Sequence, residues 1–117
     1  MDIQEAINKH GQWRVHLRTA LIAKQTLDDA TISRHNQCEL GKWLYSEAKA
    51  KYGTLASYKQ AVEAHTTFHK HAAEVARVIN RHDEKAAMDM LATGSPYSAA
   101  STAVGVALLA LQRDIGS

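Results

Sequence analysis

Between Leu55 and Ile79 the chain sets Leu55, Tyr58, Val62, His65, His69, Ala72, Ala76 and Ile79 at alternating steps of three and four residues. An α-helix gathers such positions on one face, because a turn takes 3.6 residues. A stripe of that length specifies a long helix with a buried face, and its neighbours must be elements able to cover it. The rest of the sequence favours more helices. Six glycines and one proline stand among 117 residues, against 20 alanines. A chain so poor in turn residues and so rich in the strongest helix former argues against a β-sandwich or barrel.

The first segment, from Asp2 to about Leu27, repeats the three-four pattern with Ile3, Ala6, His10, Trp13, Leu17, Ala20 and Leu27, leaving Ile7 and Leu21 on the flank. The polar run 28–37 breaks it and reads as a loop. Asn36 is suited to cap a shorter helix, with Glu39 completing a capping-box-like start. That helix holds Leu40, Trp43 and Leu44 and fades before Tyr52-Gly53. After the long stripe a further helical stretch runs from Asp83 to about Ala92. Thr93-Gly94-Ser95-Pro96 then interrupts it, since proline lacks an amide hydrogen and disfavours a helical residue before it. A last helix carries Tyr97, Val104, Leu108, Leu111 and Ile115. The expected fold is all-α: one domain over 1–117, an antiparallel four-helix bundle with a short extra helix carrying the cysteine.

Fourteen Lys and Arg against twelve Asp and Glu give a net charge of +2, with both signs dispersed. No basic stripe for a nucleic-acid partner stands out. No unbroken run reaches the ~18–20 apolar residues of a membrane span, and the start lacks the regions of a signal peptide. The single cysteine, Cys38, fits a reducing compartment. A cytoplasmic location is expected.

The unusual feature is histidine on core faces. His65 and His69 are neighbours one turn apart on the long stripe, and His10 takes the equivalent place on the first helix. A buried imidazole loses its hydrogen bonds to water unless something replaces them. A metal ion offers one shared solution for all three, although a single buried histidine is satisfied as well by a carbonyl. Cys38 is the natural fourth candidate: in a first helical turn, amides and the helix dipole favour its thiolate. Three imidazoles and a thiolate form a soft donor set that suits tetrahedral zinc. Gly41 and Trp43 near the cysteine, and Trp13 near His10, are candidates for the wall of the site. His16, His35, His71 and His82 fall off the stripes and are expected at the surface.

The motifs His10-x-x-Trp13, Cys38-x-Leu40-Gly41-x-Trp43 and His65-x-x-x-His69, in this order and with gaps of 24 and 21 residues, resemble the bacterial chemoreceptor zinc-binding (CZB) domain. The string from Cys38 to Tyr45 is especially similar. The resemblance implies a four-helix bundle holding zinc through His10, Cys38, His65 and His69, often as a homodimer. It also implies a role in chemotaxis or cyclic-di-GMP signalling, exerted on an attached output domain or a signalling partner.

A zinc-dependent sensory module that is not an enzyme is therefore expected, with Cys38 as a second, redox-responsive input. Two rivals remain. A hemerythrin-like di-iron bundle would also point histidines inward, with His35 and Glu39 as partial encouragement, but needs core carboxylates. A metal-free helical interaction module would leave the histidines merely buried. Tyr45, Tyr52, Met88 and Met90 are the candidate apolar surface for a homodimer.

Overall fold

In a computed structural model, residues 1–34 and 38–116 are described. The described residues form helices α1 (Ile3–Ile22), α2 (Asp29–Ser33), α3 (Glu39–Leu44), α4 (Glu47–Tyr52), α5 (Ala56–Asn80), α6 (Glu84–Leu91) and α7 (Pro96–Ile115), with no strand among them. Three long helices make the body of an antiparallel bundle, with α6 leading into α7 and α2–α4 spanning the route from α1 to α5. The main packing is α5 against α7, with α1 against α7 and α2 against α5 next.

The long stripe behaves as its spacing requires. Tyr58, His65, His69, Ala72, Ala76 and Ile79 are buried, with Leu55 and Val62 half-buried at its edge. Opposite them, Tyr97, Val104, Leu108 and Leu111 of α7 are buried. Ser95 caps α7 by accepting a hydrogen bond from the Ser98 amide, and Pro96 takes the first helical position, where no amide is needed. The turn before it requires Gly94, whose φ of +86° a side chain would strain.

Helix α1 ends at Ile22, earlier than its pattern predicts, and Leu21 is buried rather than flanking. Leu27 still packs against the core from beyond the helix. Its amide donates to Asn80 Oδ1 at 2.7 Å, and its carbonyl accepts from Asn80 Nδ2 at 2.8 Å, pinning this segment to the end of α5. The expected loop 28–37 contains α2, capped by Asp28, whose carboxylate accepts from the Thr31 amide and hydroxyl. Five residues are too few to show a helical period, and Ile32 alone of the five is buried. The expected single short helix is two, α3 and α4, separated at Tyr45–Ser46. The predicted cap, Asn36, lies outside the described residues with His35; Cys38 itself occupies the N-cap of α3.

The stretch Glu84–Ile115 also departs from expectation, being long and apolar enough by composition to cross a membrane. No charged side chain falls between Asp89 and Arg113, and serines and threonines hide this from a search for unbroken apolar runs. Only 33% of its most apolar window is buried in the bundle, and Val106 and Leu109 stand exposed on α7. Of the proposed contact residues, Tyr45 and Met88 are exposed while Tyr52 and Met90 pack against the core.

Candidate metal centre

Three separate helices bring the site together. His10 lies on the buried face of α1 with Ile3, Ala6 and Leu17. His65 and His69 sit on the buried face of α5 and are 0% and 3% exposed. Cys38, half-buried, caps α3 with extended backbone, and its Sγ accepts a hydrogen bond from the Gly41 amide at 3.3 Å. Gly41 is buried directly beneath that cap.

One donor atom from each of His10, Cys38, His65 and His69 lies within 4.8 Å of the others. Cys38 Sγ and His65 Nε2 are 3.2 Å apart. The imidazole centroids of His65 and His69 are 4.6 Å apart, and His10 lies 5.2 and 5.9 Å from them. With Zn–N near 2.0–2.1 Å and Zn–S near 2.3 Å, neighbouring ligand atoms of a tetrahedral site stand about 3.3–3.6 Å apart. The group reaches that spacing with a contraction of about 1.2–1.5 Å at its widest edge.

The backbone already orients two of the rings. His10 Nδ1 donates to the Ala6 carbonyl and His69 Nδ1 to the Ile32 carbonyl, each at 2.8 Å. A carbonyl only accepts, so both protons sit on Nδ1 and both lone pairs on Nε2, the arrangement that carbonyl-anchored metal ligands use. His10 Nε2 is buried with no hydrogen-bond partner among the described residues. Such an atom is costly to leave uncompensated. An ion with nitrogen and sulfur preference satisfies it, so these residues fit zinc. Phe68, fully buried, lies edge-on between His10 and His69, at 5.3 and 5.6 Å.

Burial lowers the His10 pKa, outweighing the Ala6 carbonyl, and keeps the ring neutral and ready to donate. Cys38 corrects an expectation. Its amide contacts with Gly41 and Leu40 do favour the thiolate, but burial outweighs them and pushes the thiol above its ordinary value. A bound cation would favour the thiolate against that burial.

Of the expected wall residues, Trp13 is half-buried beside His10 and lines a cleft at the site, while Trp43 packs against the core. His16 and His82 are exposed; His71 is half-buried and lies 3.4 Å from Glu74. The donor group contains no carboxylate. Glu63 is exposed along α5, Glu74 faces His71, and Glu39 pairs with Lys9 at the surface. The interior carboxylates a di-iron bundle needs are thus not found among the described residues. The Ala6 carbonyl was legible in the sequence, four residues before His10 on a helix. The Ile32 carbonyl was not, because the segment holding it showed no period.

Comparison with known proteins gives a family. A model of the chemoreceptor zinc-binding domain matches residues 10–76, more than half of the chain, and that stretch spans all four donors. No curated protein and no solved structure matches.

Proposed function

The chain belongs to the chemoreceptor zinc-binding domain family, and from that premise we propose that it is a zinc-dependent sensory module whose ion is held by His10, Cys38, His65 and His69. The observation that carries this reading is the convergence of those four donors, one half-buried and three buried, within 4.8 Å. A bound zinc ion supplies a charge that keeps Cys38 as thiolate and bonds that tie α1, α3 and α5 together.

The chain's own residues supply the rest. The Ala6 and Ile32 carbonyls hold His10 and His69 in the donating tautomer, and the Gly41 amide steadies the sulfur. Four protein ligands leave no open position for a substrate, which supports a regulatory role rather than an enzymatic one. Because the donors come from helices distant in sequence, occupancy is coupled to bundle stability and hence to the surface a partner reads. That partner is a signalling protein or an attached output domain in chemotaxis or cyclic-di-GMP signalling, with the module acting in the cytoplasm as a homodimer. Exposed Val106 and Leu109 on α7 supply apolar surface for that pairing.

Cys38 gives the module a second input. A peroxide attacked by the Cys38 thiolate forms an S–O bond as the O–O bond breaks, leaving a sulfenic acid and a hydroxide ion; two electrons pass from sulfur to the peroxide. The donor set then loses its thiolate.

Native mass spectra of the chain purified without added metal, beside Cys38→Ala, test the reading. One zinc per chain, weakened or lost in the variant, is the expected result. A parent that takes up no zinc after reloading overturns it, and iron in place of zinc would revive the di-iron rival.

A further inference from the structure

The backbone holds His10 and His69 through Nδ1 and one carbonyl each. A single hydrogen bond tolerates about 30° of misalignment before it weakens, so it fixes the tautomer more firmly than the tilt of the ring. The second hold is Phe68, the chain's one phenylalanine, which stands on α5 between the ligand positions 65 and 69. Its ring lies 5.3 Å from His10 and 5.6 Å from His69, at 66° and 88° to them, while the two histidines stand 5.9 Å apart at 78°. Each pair is an edge-to-face aromatic contact, and three rings set this way block one another's tilt. Phe68 has no space to yield. It is 0% exposed, and Tyr97 of α7, 2% exposed, closes on it with ring centroids 5.7 Å apart.

We propose that Phe68 is a positioning residue that makes the site selective for zinc over nickel, by locking the His10 and His69 rings between itself and their carbonyls. The inference rests on the zinc reading above and names what sets its specificity. Donor type alone does not discriminate. Affinity of a given donor set rises along the first row to copper, so nickel competes with zinc and geometry must separate them. Zinc has no geometric preference of its own and accepts a tetrahedron, whereas nickel favours square-planar or tetragonal arrangements. Rings that cannot tilt cannot open to the second arrangement. With Phe68 removed, His10 and His69 follow whichever ion they meet, and the discrimination is lost.

The test is competition of zinc chloride and nickel chloride for the chelator-stripped full chain. Phe68→Ala should weaken zinc about tenfold, the lower range for residues that orient ligands, while nickel changes by less than about threefold. The zinc-to-nickel affinity ratio therefore falls. Phe68→Leu fills most of the volume without a flat edge and should show the same shift at reduced size, which keeps the test readable if the alanine variant does not fold. Leu108→Ala, at another fully buried position, should lower stability and leave the ratio at its parental value. Cobalt(II) gives a second reading, since its visible bands are strong in a tetrahedral site and weak in an octahedral one. The parent should show the strong bands and Phe68→Ala should lose part of them. A parental ratio in the folded Phe68 variants overturns the proposal even if both ions bind more weakly, because a purely structural role weakens both alike. An equal fall of the ratio in Leu108→Ala overturns it too, by tracing the effect to general loosening. A parent that holds nickel as tightly as zinc overturns the inference and leaves the metal site standing, and a parent that binds neither ion overturns both.

Discussion

Two sets of core positions around α5 show different ways to fill an interior. Where α5 meets α1 and α3, the core positions hold His65, His69 and His10 with Cys38 at the margin. Where α5 meets α6 and α7, they hold Ala72, Val75, Ala76, Ile79, Val104, Leu108 and Leu111. The second region is complete on folding, since apolar groups leaving water need only close neighbours. The first buries polar atoms and reaches full stability only when something binds them. The family match covers all four donors and stops at residue 76, before α6 and α7 begin. Stability in one region is conditional and in the other unconditional, which is the property a sensor needs.

The largest expected effect tests the conditional region. Free zinc at about 1,000 times its Kd should stabilise the chain by about 4 kcal/mol, measured by denaturant unfolding with and without chelator. His65→Leu with His69→Met should abolish that gain while leaving a folded, equally stable metal-free bundle. Equal stability of the parent with and without zinc would erase the contrast. In the same experiment, uptake at neutral pH should release at least one proton from Cys38, whose thiol burial keeps protonated. Affinity should accordingly fall as the pH falls.

Next in size, Leu108→Ala should cost about 3 kcal/mol through the cavity it leaves in a fully buried position. The cost should be the same with and without zinc; a zinc-dependent cost would show that the two regions are one. Ser95→Ala removes the α7 cap and should cost about 1 kcal/mol in thermal or denaturant unfolding.

The smallest effect has the opposite sign. Tyr97 is 2% exposed, its hydroxyl has no hydrogen-bond partner among the described residues, and burial pushes its pKa up to about 12. Tyr97→Phe removes a buried unsatisfied group and should stabilise the chain by roughly 1 kcal/mol. The ring lies 5.7 Å from Phe68, which in turn touches His10 and His69, so the variant also sharpens where the polar region ends.

Much of this architecture is legible in the sequence. The three-four spacing locates α5 and its buried face, including both histidines, because helical periodicity survives any detail of packing. His10 follows from the same argument on α1, and Cys38 from its donor chemistry and its motif. The short helices are poorly legible: the sequence reads α2 as loop, and α3 with α4 as one helix, since five or six residues carry too little pattern.

What sequence alone determined is therefore the set of long helices, their buried faces and the chemical kind of the four donors, all properties of local spacing and side-chain type. The tertiary structure decided the quantities that depend on which residues sit beside one another. It placed donors separated by up to 59 positions within 4.8 Å, set burial above amide contacts at Cys38, and gave His69 its orienting carbonyl from Ile32. It also set Lys9 of α1 against Glu39 of α3 at the cleft. Distances and desolvation arise only when separate helices meet, and no pattern along a single helix encodes them.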